Sequence, residues 1–321
     1  METKVMTTTE TLALSVIVPC CNEAESLPLL MPRLHDVCRS VTSSYEILLI
    51  DDGSTDGTTA LIDRIVEEYP KVLGIRLARR FGQQIALSAG LSMAKGDRIL
   101  FIDADLQDPP ELLPDMIRLM EEGADVVYGQ RVSRAGESEF KKASAHWFYR
   151  FLRHFGDANL PLDAGDFRLI SRRVADLLLR MPERQRFLRG MISWIGLKQV
   201  PILYARHERA AGKTKYPLAQ MAAFAMDAIT SFSAAPLRLS LFLSLATGGL
   251  SLVLMLYAVG AWLLGDTVQG WTSLTCIMLL FFGLQFLCIG LIGEYVGRLY
   301  LENKGRPLFV IDTLTKRNEE K

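Results

Sequence analysis

RILFIDADLQDPPELLPDMIRLM, residues 98–120, reads as a strand that stops in an acidic turn and hands the chain to a helix. Arg98–Ile102 is a short apolar run of strand type, and Leu112 to Met120, opened by Pro109-Pro110, has helical spacing. Between them lies Asp103-Ala104-Asp105-Leu106-Gln107. On an extended segment residues two apart point the same way, so Asp103, Asp105 and Gln107 are expected to converge. Two carboxylates and an amide oxygen suit a hard cation such as Mg2+ or Mn2+, which would bind a diphosphate and stabilise charge as it leaves. A lone Asp-x-Asp is a weak signal, because paired aspartates serve equally as turn formers and helix caps. Its place between an apolar strand and a proline-started helix gives it weight.

The same grammar repeats on the N-terminal side. Leu14–Val18 is a strand closed by Pro19 and the polar Asn22-Glu23, and Leu27, Leu30, Leu34 and Val37 mark a helix. Ile47–Ile50 is a second strand closed by Asp51-Asp52-Gly53, followed by a helix through Leu61, Ile62 and Ile65. Val72–Leu77 is a third strand, Ile85 to Ala94 a helix, and Val126–Tyr128 a fifth strand after the helix at 112–120. Strands alternating with helices imply a mostly parallel sheet with right-handed crossovers. Ligands sit beyond the carboxyl ends of such strands, so the three polar clusters should share one rim. In Asp51-Asp52-Gly53-Ser54-Thr55-Asp56-Gly57, Asp56 or Thr55 suits a helix cap, while a carboxylate can accept from a base or ribose hydroxyl. The first strand carries neither a P-loop nor a GxGxxG, which argues against ATP hydrolysis and hydride transfer.

Lys+Arg and Asp+Glu number 36 each, so bulk charge points to no nucleic acid. Its distribution is uneven: Leu239 to Leu264 and Thr267 to Gly293 contain no charged residue. Each run exceeds the roughly 20 apolar residues that span a bilayer. Soluble core helices rarely stay uncharged over two adjacent runs of this length. Arg238 before the first run and Arg298, Lys304 and Arg306 after the second place both flanks, with the N-terminal domain, in the cytoplasm. Met1 to Thr11 lacks the apolar stretch of a signal peptide. The five cysteines show no metal-ligand or disulfide spacing. Trp147, Phe148, Phe151, Leu152 and Phe155, interleaved with Arg150, Arg153 and His154, suit a helix at a membrane surface or one packed on the sheet. Met221 to Phe232 reads as a helix leading into the bilayer. Arg209, Lys213 and Lys215 around Gly212 suit phosphate groups, and equally the positive-inside signal. Asp163 and Asp166 lie near Arg168 in a glycine-containing loop, where either can be a base or an arginine's partner.

Taken together these residues resemble family 2 glycosyltransferases. VIVPCCNEAES, DDGSTDGT and DADLQDPPE match that family's successive signatures. GDFRLISR (165–172), MPERQRFLRGMISWIG (181–196), AAGKTKYP (210–217), ITSFS (229–233) and IGEYVGRLYLENKGRP (292–307) are similar to its polyprenyl-phosphate branch. The likeness is nearest to bactoprenol glucosyltransferases of O-antigen glucosylation and more distant to dolichol-phosphate mannose synthases.

The resemblance implies an α/β GT-A (Rossmann-like) domain with a mostly parallel sheet, followed by two C-terminal transmembrane helices. It also implies inverting transfer from a nucleotide sugar, UDP-glucose favoured, to a polyprenyl phosphate at the inner membrane. By motif, Pro19, Glu23, Asp51 and Asp52 would hold the donor nucleotide, and Asp103, Asp105 and Gln107 the cation. Asp166 takes the place of the catalytic carboxylate, with Asp163 outside the motif. Arg131, Arg209 and Lys215 would bind phosphates. The expected layout is a cytoplasmic catalytic domain over 1–217, an interfacial helix over 218–238, spans over 239–264 and 270–293, and a cytoplasmic tail over 294–321. Related enzymes often form homo-oligomers. Cys21 stands where the family has an aromatic residue, and Arg80 where it has Asn. A processive polysaccharide synthase and a non-catalytic nucleotide-sugar-binding scaffold are the rival readings, separated by polymer formation and by binding without turnover.

Overall fold

The computed structural model describes residues 12–131, 164–184, 186–204, 235–264 and 270–317. Four parallel strands form the heart of the sheet: β1 (Leu12–Cys20), β2 (Tyr45–Asp51), β3 (Val72–Leu77) and β4 (Gly96–Phe101). Helices α1 (Leu27–Val41), α2 (Thr58–Glu68) and α3 (Gln83–Met93) connect them. A short 3-10 turn (Pro110–Leu112) and α4 (Leu113–Glu121) lead to β5 (Val126–Arg131). Then come β6 (Ala164–Ser171), α5 (Arg172–Arg180), α6 (Leu188–Ile195) and β7 (Gln199–Tyr204).

The strand order is β7-β5-β6-β4-β1-β2-β3, with an eighth strand, β8 (Ile311–Lys316), beyond β3. Alternation along each strand divides the core between the two faces. Leu14, Val16 and Val18 of β1 pack with α1, α2 and α4, whereas Ile17 joins Leu48, Ile50 and the residues of α3, α5 and α6. Gly90 lets α3 approach β1 closely, since a Cβ there would lie 2.4 Å from Ile17 Cγ2.

β6 runs antiparallel to β4, with Phe101 opposite Arg168. Continuing that register by two residues sets Asp103 against Asp166. Strand order diverges between β1 and β4, the switch point at which such sheets open a crevice at their carboxyl ends.

The apolar runs form α7 (Ala235–Leu263) and α8 (Trp271–Asn303). Their most apolar windows, Ser240–Tyr257 and Leu280–Asn303, have mean hydropathy 1.8 and 1.6, and only 6% of each is buried. Side chains such as Phe242 and Phe286 are exposed, so neither helix is buried among the described residues. Both have the length and composition to cross a membrane. Cys288 Sγ meets the Ser240 carbonyl at 3.8 Å and Ser244 Oγ at 4.0 Å where the two helices pack.

The stretch after residue 293, read from sequence as a tail, is structured. α8 continues to Asn303, because Glu294 and Arg298 pair at 2.8 Å one turn apart and do not interrupt it. β8 then adds antiparallel to β3, and Thr315 Oγ1 donates to Asp63 Oδ1 at 2.9 Å. Asp163, Arg209, Lys213, Lys215, the aromatic stripe at 147–155 and the helix expected at 221–232 lie outside the described residues, as does the side chain of Arg131 at the end of β5.

Candidate active site

The loops after β1 and β2 are stitched together. Asn22, in the left-handed region at φ 61°, accepts from Thr55 N at 2.8 Å and donates its own N–H to Ser54 Oγ at 3.1 Å. Glu23 N donates to Thr58 Oγ1 at 2.8 Å, and Ala24 N to Asp56 Oδ2 at 3.4 Å. Asp51 is 1% exposed and accepts from Ser54 N (2.9 Å) and Thr59 Oγ1 (2.5 Å). Asp52, 3% exposed, accepts from Phe81 N (2.6 Å) and Gly82 N (2.8 Å). That grip draws the loop after β3 onto Gly53, at φ 67°, where a Cβ would lie 2.6 Å from Arg80 N. Cys21 is half-buried here; burial raises its thiol, and the nearby Arg80 opposes the shift.

A second cluster forms where β4, β6, α3 and α6 meet. Asp103 Oδ1 accepts from Gln83 Nε2 at 2.7 Å. Asp166 Oδ2 accepts from Gln84 Nε2 at 2.9 Å and from Gln83 Nε2 at 3.4 Å. Its Oδ1 accepts from Arg189 Nε at 3.1 Å. Burial pushes the Asp103 carboxyl up to about 8, reinforced by the charges of Asp166, Asp108 and Asp105 and opposed by Arg189. Burial brings the Arg168 guanidinium down to about 10, against the pull of Asp166, and its Nη2 donates to the Gly165 carbonyl at 2.7 Å.

The Asp103–Gln107 segment is not the extended ribbon expected from sequence. β4 ends at Phe101, and Leu106 sits at φ 61° in a turn. Gln107 N therefore donates to Asp105 Oδ1 at 3.2 Å, and the Gln107 side chain is buried. Asp108, also buried, accepts from the Tyr204 hydroxyl and ties this turn to β7. The turn still keeps Asp105 close enough to act on Asp103 electrostatically. Among the described residues no group of three His, Cys, Asp or Glu side chains closes into a cage. An acidic pair with surplus negative charge fits a hard cation completed by substrate oxygens.

The Glycosyl transferase family 2 model matches residues 15–179, from β1 into α5. A Bacillus subtilis (strain 168) protein named an uncharacterized glycosyltransferase, YkcC, is 43% identical over 92% of this chain and 92% of its own. The prophage bactoprenol glucosyl transferase homolog of Escherichia coli (strain K12) is 37% identical over 94% of this chain and 99% of its own. The bactoprenol glucosyl transferase of Shigella phage SfV is 36% identical over 93% and 97%. The chain belongs to glycosyl transferase family 2. Its likeness to the bactoprenol glucosyl transferases extends through the two apolar helices.

As a family 2 glycosyltransferase the chain brings Pro19, Glu23, Asp51, Asp52, Asp103, Asp105, Gln107 and Asp166 to the strand ends and loops at one rim of the sheet. Sequence reasoning passed over Gln83, Gln84, Asp108 and Arg189. The adjacent amides directly after Phe81-Gly82, at the carboxyl end of β3, were a local hint. Nothing local links Arg189 to Asp166, because β6 and α6 meet only in the fold.

Proposed function

We propose that this enzyme transfers glucose, with inversion, from UDP-glucose to a polyprenyl phosphate such as undecaprenyl phosphate. One observation carries the reading: relatives named bactoprenol glucosyl transferase match both the catalytic sheet and the apolar helices, at 36–37% identity. Other donors, namely GDP-mannose, UDP-N-acetylhexosamines and modified pentoses, are the alternatives within the same reaction.

An acceptor phosphate oxygen attacks the anomeric carbon, and the bond to the nucleoside diphosphate breaks with its electron pair leaving on the diphosphate. A phosphate monoester has a second pKa of about 6, so the nucleophile arrives already ionised and needs little proton abstraction. Asp166, held by a guanidinium and two amides, suits orienting the acceptor and shaping local charge more than taking a proton. Asp103, Asp105 and Gln107 would hold a Mg2+ or Mn2+, whose chemistry is to neutralise charge on the departing diphosphate. Asp51 already engages its own loop and Asp52 the loop after β3, so we read them as framing the donor pocket with Pro19 and Glu23. Arg131, Arg209 and Lys215 are proposed to bind the phosphates.

We place the catalytic domain (1–217) on the cytoplasmic side of the inner membrane, with an interfacial helix over 218–238 and two spans. β8 follows the second apolar helix yet pairs with β3, which supports an even number of crossings. Homo-oligomerisation follows from the family resemblance alone.

The test is incubation of purified protein with undecaprenyl phosphate, Mg2+ or Mn2+, and a panel of UDP- and GDP-sugars, with mass spectrometry of the lipids. A single hexose on the lipid phosphate, lost with chelator, is the expected product. Polymer would identify a processive synthase, and donor binding without any product would favour a scaffold.

A further inference from the structure

The carboxylate of Asp166 is gripped from two other elements. Arg189, in the first turn of α6, holds Oδ1 at 3.1 Å, and Gln84, at the start of α3, holds Oδ2 at 2.9 Å. The Gln84 amide has a defined orientation: its Oε1 accepts from Leu188 N at 3.0 Å, and a backbone N–H can only donate. Its nitrogen must therefore face Asp166. Leu188 precedes Arg189, so one amide fixes both the carboxylate and the turn that supplies its other partner. Gln83 shares its amide nitrogen between Asp103 (2.7 Å) and Asp166 (3.4 Å). The start of α3 is itself anchored, since Asp52 accepts from both Phe81 N and Gly82 N.

We propose that Gln84 and Arg189 are positioning residues that clamp Asp166, one on each oxygen, and that Gln83 ties the clamp to Asp103. The inference rests on the reading of Asp166 as the reaction-site carboxylate. A carboxylate at a strand end turns about two side-chain torsions. A donor on each oxygen, from separate helices, restrains both, which is the order of precision a reacting geometry needs. Asp103 and Asp166 are adjacent carboxyl groups, and the Gln83 amide that donates to both ties them together.

Gln84→Glu separates the clamp from plain packing. It keeps an oxygen to accept from Leu188 N and replaces the amide donor facing Asp166 with a second oxygen. In the full-length enzyme, Gln84→Glu is expected to lower kcat about 30–100-fold, with donor KM and UDP affinity held within about twofold and Tm nearly unchanged. Arg189→Lys should retain roughly tenfold more activity than Arg189→Met. Wild-type kcat in Gln84→Glu alongside an inactive Asp166→Asn overturns the clamp alone, whereas a fully active Asp166→Asn removes the site reading and the clamp together. A loss matched by equal weakening of UDP binding, or by a large fall in Tm, assigns Gln84 to structure and also overturns the proposal. Hydrogen exchange reads the clamp without turnover. Asp166→Ala should speed exchange at residues 188–190, and an unchanged rate counts against it.

Discussion

The two acidic clusters at the sheet rim are built in opposite ways. Asp51 and Asp52 accept mostly from backbone N–H groups, with one hydroxyl, and are almost wholly enclosed. Asp103 and Asp166 accept from side-chain amides and a guanidinium and keep some contact with solvent. A backbone donor has no other place to go, so a carboxylate serving it is part of the scaffold. A side-chain donor can turn away and let a ligand take its place. One cluster therefore sets the shape of the rim; in the other, Gln84 and Arg189 hold Asp166 while Asp103 can trade its Gln83 contact for a ligand.

Substitution should split the two clusters cleanly. Asp105→Ala is expected to lower metal-dependent turnover by at least about a thousandfold, or about 4 kcal/mol, while leaving Tm within a few degrees. Initial rates and a melting curve on the same preparation check this, and full activity would remove the cation assignment. Asp52→Ala leaves two part-buried N–H groups without their acceptor, at a cost of about 1–3 kcal/mol in stability. That corresponds to a fall of roughly 2–12 °C in Tm. Should Asp52→Ala melt like the wild type yet fail to bind UDP, the residue serves the ligand and the contrast between the clusters collapses.

What could be read along the chain was local. Strands β1 to β5 announce themselves as apolar runs, three of them closed by acidic residues, and the parallel topology follows from their alternation with helices. Asp103 and Asp105 were visible for that reason. The pairing of Asp103 with Asp166 was not, because it arises from β6 entering antiparallel beside β4, which no spacing in the sequence encodes. The turn at Leu106 was hidden for another reason: leucine seldom adopts positive φ, so nothing in the letters warns of it. β8 escaped because an edge strand covered on one side only lacks a strong apolar alternation. α8 outran its expected end because hydropathy stops at the first charge, whereas an i,i+4 ion pair prolongs a helix.

Acid sharpens the comparison at a smaller scale. The Asp103 carboxyl, raised to about 8 by burial and then by its acidic neighbours, is largely protonated at neutral pH without a cation. A cation must displace that proton, so apparent Mn2+ affinity should fall as pH drops below 8, by up to about tenfold per unit. Calorimetry in buffers of different ionisation enthalpy should show proton release on binding at pH 7 and much less at pH 9. The linkage sign for stability follows. With a folded pKa above the unfolded 3.8, the folded state holds the extra proton, and cation-free protein loses stability as pH rises through about 8. A pH-independent Mn2+ affinity would move the cation away from Asp103.

The smallest difference concerns the two non-glycine residues at positive φ among the described residues, one in each loop system. Asn22 and Leu106 both sit at φ 61°. Asparagine adopts this region at little expense, whereas leucine gives up roughly 1–2 kcal/mol. Leu106 recovers that by burial in the main core, worth about 1.5–3 kcal/mol for a leucine side chain. Leu106→Gly removes the strain and the burial together, so it should lower stability by only about 1 kcal/mol despite emptying a core position. Asn22→Gly keeps the backbone conformation and forfeits the exposed bond from Thr55 N, a loss of about 0.5 kcal/mol. Denaturant melts of both variants decide the matter. If Leu106→Gly proves more stable than the wild type, the turn between Asp105 and Gln107 is held under strain by its neighbours, and the exchangeable cluster stores conformational energy that the rigid one does not.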